Sequence, residues 1–405
     1  MEVLVISNHA PYDGIPRAGE KTHNYYLKEF ARENDWNVRL ISFCPPEDFR
    51  KLDLAEYGIE ACIFQNDMRI ISQLKRKINR WIGYTLNSKD KYANFTTVDQ
   101  RKKIINILIK YKGEGYYPDC IVLEWTHIIL LVELIKEIYP NSKIIASSHD
   151  VNHVGSERIY NFERNRMKKI FRKRQYLNLK TREVAALEKC DLIVTHNIND
   201  IDILKRFSSL KNKEFIRIVP YYDDYSDVQR RPLSNQIIFF GAMGRPENYI
   251  SVKWFIENVF CKLSDYNLVI IGGGVTQEIK QYENDRIHIT GFLPTERVKQ
   301  YFASCTCMVV PLILGSGIKV KVLEAFSAGI PVITNSIGNE GILAEDRKTY
   351  IHCETADDYV ALFRNIVNVD LNRIGENAKK FVHIEHSLEH SRDSYINLIK
   401  RLCSE

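Results

Sequence analysis

A chain of 405 residues, 45% hydrophobic and 11% aromatic, is too long for one ordinary core and has apolar material for two, which excludes a disordered or fibrous chain and predicts two domains of roughly 200 residues each. The net charge of +6 is mild. No run of about twenty apolar residues occurs, and the start MEVLVISNHAPYDG lacks the basic flank and long apolar stretch of a secretory signal, so a cytosolic location is expected.

The first half alternates short apolar runs with amphipathic ones. VLVISN (3–8) reads as a strand, followed by a long loop and a helix from about Glu20; NVRLISF (37–43) is the next strand. CIVLEWT (120–126) precedes a helix at about 129–138, KIIASSHD (143–150) precedes a long basic helical region, and CDLIVTH (190–196) leads into NDIDILKRF. Strands alternating with helices of this length predict a parallel sheet covered on both faces. Cys44, Cys62, Cys120, Cys190, Cys305 and Cys307 sit in or beside strand-like runs, form no CxxC pair, and read as small buried hydrophobes.

The pattern breaks over 214–236, where Tyr, Asp, Arg, Pro and Ser cluster without sustained period, as in an interdomain linker. It then restarts with strands IIFFGA (237–242), NLVIIGGG (267–274), RIHITGF (286–292), CTCMVVPL (305–312) and PVITN (331–335), and with helices at about 248–262 and 294–304. The expected fold is therefore α/β, with two doubly wound, Rossmann-like domains facing each other across a cleft. In open parallel sheets ligands sit at the carboxyl ends of the strands.

One such end carries GSGIKVKVLEAFSAGIPV (315–332). Gly315 and Gly317 allow a sharp turn into a helix expected near Ile318, whose free amides and positive dipole end suit an anion. Lys319 and Lys321 add cationic charge where a helix start disfavours it, so a ligand charge is expected to compensate them. Glu324, one and a half turns on, can accept from a pair of vicinal hydroxyls. A diphosphate at the helix end and a ribose diol at the acid describe a sugar nucleotide. The plain alternative is a solvated helix start in which these three side chains merely pair with one another.

From Gly241 to Gly341 the chain resembles the donor domain of retaining glycosyltransferases of family four (glycosyl transferases group 1), which have the two-Rossmann-domain GT-B fold. The matching pieces are FFGAM with Asn248, LVIIGGG, HITGFLP, MVVPLILGSGIKVKVLEAFSAGIPVITNS and GNEGI. The first half matches more loosely, through VISN, AGEKTHNYYLKEFA, SSHD and CDLIVTHN. The resemblance implies that Glu324, second acid of an E-x7-E pair, holds the donor ribose. The first acid of that pair is replaced by Ser316, which leaves the donor sugar to backbone amides around Gly317 and Ile318. Ala242 stands after Gly241 where many members carry arginine, so Lys319, Lys321 and Arg245 are expected to supply the charge for the diphosphate. Phe292 and Leu293 would meet the nucleobase, Gly19 would approach the diphosphate, and His149 would contact the donor sugar near the reacting centre.

The same resemblance implies metal-independent retaining transfer of a sugar from a nucleotide-diphosphate sugar to a hydroxyl of a glycan or lipid-linked glycan, of the kind found in bacterial capsule, lipopolysaccharide or exopolysaccharide synthesis. No cofactor is expected besides that donor. Asp200 and Asp202 spell D-x-D but open a helix, where Asp is an ordinary dipole partner. His383, His386 and His390 have the spacing of one helical face, read as polar surface rather than a zinc site. Gly272-Gly273-Gly274 lacks the third glycine of a dinucleotide fingerprint, since residue 277 is Gln. A sugar-nucleotide epimerase or hydrolase of the same fold, and a non-catalytic glycan- or partner-binding protein, are the rival readings.

Two basic segments remain. Residues 69–84 (RIISQLKRKINRWIGY) and 164–174 (RNRMKKIFRKR) interleave cationic with apolar side chains, which suits peripheral contact with an anionic membrane at the inner face of the plasma membrane. No nucleic-acid-binding module is recognisable. The expected organisation is an acceptor-binding domain over 1–217, a linker over 218–235, a donor-binding domain over 236–385 and a closing helix over 386–405 that packs back on the first domain.

Overall fold

The computed structural model describes residues 1–66, 98–233, 235–315 and 317–404. The expectations at Ser316 and at 69–84 lie outside the described residues. The chain divides into two compact units, Met1–Tyr221 with Leu388–Glu405, and Tyr222–Ser387.

In the first unit the elements run β1 (Glu2–Ile6), α1 (Ala18–Arg32), β2 (Asn37–Cys44), β3 (Glu60–Gln65), α2 (Val98–Gly113), β4 (Cys120–Glu124), α3 (Trp125–Ile129), α4 (Val132–Ile138), β5 (Lys143–Ser148), α5 (Asn152–Phe162), α6 (Arg166–Leu187), β6 (Leu192–Thr195), α7 (Ile198–Lys205) and β7 (Glu214–Arg217). The strands form one parallel sheet in the order β3-β2-β1-β4-β5-β6-β7. Successive side chains of β1 point to opposite faces, so Val3 and Val5 enter one core with Phe30 of α1, while Leu4 and Ile6 enter the other with Leu108 and Ile128. The sheet thus buries both faces, which is why its strands read as continuous apolar runs.

In the second unit β8 (Gln236–Phe240), α8 (Pro246–Asn258), β9 (Asn267–Ile271), α9 (Gln277–Lys280), β10 (Ile287–Gly291), α10 (Thr295–Ser304), β11 (Cys307–Val310), α11 (Val320–Ser327), β12 (Val332–Thr334), β13 (Ile351–His352), α12 (Ala356–Arg364) and α13 (Leu371–Glu385) follow. Its parallel sheet has the order β10-β9-β8-β11-β12-β13. α13 packs by Gly375 against the turn that follows α11: a Cβ on Gly375 would lie 2.2 Å from Gly329 O. The last helix, α14 (Leu388–Ser404), belongs to the first unit, where Tyr395, Ile396, Ile399 and Leu402 join the core of Val3, Val5 and Phe30.

Several local expectations are corrected. EFIR (214–217) is strand β7 rather than the start of a linker, because pairing with β6 outweighs its irregular pattern. Within 218–235, Ile218 and Val219 are buried in the first unit, and in the second Phe302 packs on Tyr225, whose amide donates to Ser327 Oγ at 2.9 Å. The helix expected near Ile318 starts at Val320, with Lys319 as its N-cap. His383, His386 and His390 share no helix face. α13 ends at Glu385, the buried His386 ring bonds Ile342 O at 3.0 Å, and His390 lies on α14.

Candidate active site

In the second unit the loops at the carboxyl ends of β8, β9 and β10 are tied by backbone hydrogen bonds. Gly241 N donates to Ile271 O at 3.0 Å, Met243 N to Gly273 O at 2.7 Å, and Gly272 N to Gly291 O at 3.0 Å. The approach is close enough that a Cβ on Gly272, whose φ is +146°, would lie 1.9 Å from Gly241 O. The glycine run after β9 therefore serves loop-to-loop packing. It also sets Phe292 and Leu293 beside these loops: a Cβ on Gly273 would lie 3.3 Å from Phe292 Cβ, and Phe292 is 77% exposed.

The turn from β11 into α11 uses positive φ at Gly315 (+127°) and Gly317 (+71°). Gly317 O accepts from Lys319 Nζ, and Lys319 also lies 3.6 Å from Glu340 Oε2, both side chains nearly buried. Lys321 points to the β8 loop, donating to Asn248 Oδ1 at 2.5 Å, and a Cβ on Gly241 would lie 2.9 Å from its Nζ. Asn248, itself buried, is held by donating to Ala242 O at 2.8 Å. Burial, with Arg245 and Lys319 adding repulsion against the pull of Glu247 and Glu324, brings the Lys321 ammonium down to about 7. Arg245, N-cap of α8, is exposed and pairs with Glu247.

The structure thus brings Gly241, Arg245, Gly317, Lys319, Lys321 and Glu324 together, with Ile318 in the same turn. Glu324 is buried on α11. Glu247 and Glu340, which the sequence reading did not single out, balance the cations. Their signal was position, each in a loop or first turn beside a strand's carboxyl end.

Gly19 and His149 lie in the first unit, and they adjoin. A Cβ on Gly19, in the first turn of α1, would lie 3.5 Å from His149 Nδ1. His149 stacks on Trp125 at 4.5 Å and 14°, and its Nε2 lies 2.7 Å from Glu124 Oε2. His23 Nδ1 lies 3.5 Å from the other carboxylate oxygen, and His196 Nε2 lies 3.3 Å from His149 Nδ1. Trp125 adopts φ +66°, a left-handed conformation costly for a bulky residue and a mark of functional positions. Glu124, Trp125, His23 and His196 escaped the sequence reading, although Glu124-Trp125 and His196 end apolar strands at the edge where ligands bind.

Residues 234–369 match the family model described as glycosyl transferases group 1. The likeness to that family lies within the second unit. A 44.6 kDa protein in the cps region of Klebsiella pneumoniae is 24% identical over 150 residues, covering 34% of this chain and 38% of that protein, so the match spans less than half the relative's length. Among solved structures, sucrose-phosphate synthase from Thermosynechococcus elongatus superposes with a TM-score of 0.72 at 13% identity, covering 100% of this chain and 99% of that one. Anabaena HepE in complex with UDP and glucose gives 0.64 at 12%, covering 98% and 99%. At such identities the likeness establishes the fold, which is GT-B. Among the described residues, none of the helices is long and apolar enough to cross a membrane.

Proposed function

We propose that the chain is a metal-independent, retaining glycosyltransferase that moves a sugar from a nucleoside-diphosphate sugar to a hydroxyl of a glycan or lipid-linked glycan, in bacterial capsule, lipopolysaccharide or exopolysaccharide synthesis. The observation that carries this reading is the cluster of Lys319, Lys321 and Arg245 at the starts of α11 and α8, with buried Glu324 on the same helix as the two lysines. A diphosphate meets two helix N-termini and three cations there, while Glu324 accepts from the ribose hydroxyls. The UDP and glucose of HepE and the cps-region setting of the Klebsiella relative support this donor class and this pathway.

In the proposed reaction the bond from the anomeric carbon to the diphosphate oxygen breaks, and the acceptor oxygen bonds to that carbon on the same face. The departing diphosphate takes the acceptor's proton. Negative charge grows on the leaving group, so fixed cations and amides lower the barrier by electrostatic preorganisation, at about 2.7–4 kcal/mol for each such donor. His149 beside Gly19 is the proposed contact of the first unit with the donor sugar, and the basic α5–α6 segment its proposed contact with an anionic membrane.

Thermal shift against a panel of nucleoside diphosphates and sugar nucleotides tests the reading. A member of the panel should raise the melting temperature, and Lys319→Ala and Glu324→Ala should each lower transfer by tens-fold or more in folded protein. Near-normal turnover in either variant removes the assignment. Release of free or altered sugar without an acceptor would instead favour an epimerase or hydrolase, and failure to bind UDP or GDP a non-catalytic binding protein.

A further inference from the structure

At the carboxyl edge of the first sheet the ends of β4, β5 and β6 are joined by a line of side-chain hydrogen bonds whose donors and acceptors can be assigned in order. His196 Nδ1 lies 3.2 Å from Ile218 O. A carbonyl oxygen only accepts, so the proton is on Nδ1. Burial holds His196 neutral, pushing it down to about 3, with His149 adding to the effect. Its Nε2 is therefore a lone pair, and it faces His149 Nδ1 at 3.3 Å, which must donate. On the other side of the ring, His149 Nε2 meets Glu124 Oε2 at 2.7 Å. Burial alone would raise the Glu124 carboxyl, but the hydrogen bonds from His149 and His23 outweigh it and hold the group well below the ordinary carboxylate range. Glu124 also accepts. His149 is left with an acceptor at each ring nitrogen.

We propose that His149 is an imidazolium carrying a proton on both ring nitrogens, and that Glu124 and His196 are positioning residues that keep it so. Glu20, the other nearby carboxylate, is engaged by Arg17 at 2.7 Å and His9 at 3.3 Å, so Glu124 is the counter-charge in contact with the ring. His23 completes the Glu124 carboxylate, and the Trp125 face stacked on the ring favours a cation. The two bonds of His149 differ in strength: the contact with Glu124 has the length of a charge-assisted bond, whereas the one with His196 is long and easily shared. A Cβ on Gly19 would stand 3.5 Å from Nδ1, so the backbone of this turn lies beside that nitrogen. A ligand oxygen with a free lone pair, arriving over Gly19, can take over that proton while Glu124 holds the ring still. What this does for sugar transfer rests on the function proposed above; the protonation itself does not.

The test is two-bond nitrogen–proton correlation on the full chain labelled with 15N-histidine at pH 7.5, with His149 assigned by its loss in His149→Gln. Expected are two protonated nitrogens on His149 and a bare Nε2 on His196. In Glu124→Gln the counter-charge is gone, and His149 should show one bare nitrogen. A bare nitrogen on wild-type His149 overturns the proposal, and so does a Glu124→Gln spectrum that keeps both protons. Should that variant fail to fold, the wild-type spectrum alone decides. A doubly protonated His149 in a protein that transfers no sugar would sink the transfer reading and leave this one standing.

Discussion

Lys321 shows how one residue couples the candidate donor site to pH. Its ammonium is brought to about 7 chiefly by burial, against an ordinary value of 10.5. Between those values the unfolded chain holds the proton and the folded chain does not, so this residue makes stability rise with pH through that window. A diphosphate reverses the preference, because its charge favours the ammonium. Binding of UDP at pH 8.5 should therefore take up protons, approaching one per ligand, and should weaken as pH rises from 7 to 9. Titration calorimetry in buffers of different ionisation enthalpy reads this directly; Lys321→Met should abolish the uptake, and a buffer-independent heat in the wild type contradicts it. The sequence supplied the lysine and its helix. The lowered value comes from burial under the surrounding elements and from the charge of Arg245 on α8.

The α5–α6 pair shows the same division at the level of elements. Its base is anchored by Glu183 of α6, a buried carboxylate that accepts from Thr126 Oγ1, the amides of Asn152 and His153, and His153 Nδ1, at 2.7–3.0 Å. It thereby satisfies the start of α5 in place of a local cap. At the other end of the pair Ile159, Phe162, Met167 and Ile170 are exposed among Arg164, Arg166, Lys168, Lys169, Lys173 and Arg174. Basic residues near an anionic surface contribute about 1 kcal/mol each, and inserted apolar side chains add to that. The chain should float with vesicles containing phosphatidylglycerol and stay behind with phosphatidylcholine alone. Phe162→Ser combined with Met167→Ser and Ile170→Ser should weaken flotation without lowering the melting temperature, since these side chains cover little core. No flotation with either vesicle removes the membrane contact.

For the whole molecule, the first unit closes only when the chain returns to it. Tyr395, Ile396, Ile399 and Leu402 of α14 are buried with Val3, Val5, Phe30 and Trp36, and Tyr26 Oη bonds both Val219 O and Ser391 Oγ. Full burial contributes about 1.5–3 kcal/mol for each large apolar side chain, and the net stability of a domain is only about 5–15 kcal/mol. A chain ending at Ser387 should lose the protease resistance of its first unit while a fragment near 222–387 persists. Equal resistance of both units after truncation would show that α14 is dispensable.

The sequence by itself determined the alternation of strands and helices, the break before β8, and the loop and helix that carry Lys319, Lys321 and Glu324. Those features depend on apolar period, turn glycines and residues only a few positions apart, which are local quantities. Tertiary structure decided the rest. It placed Glu340 on Lys319 and Asn248 on Lys321, turned the glycines after β9 into packing surfaces, paired EFIR as a strand, and joined Glu124, His149 and His196 from three strands into one line. Each of those contacts links residues far apart in the chain, and a parallel sheet brings them together because it gathers the ends of distant strands along one edge.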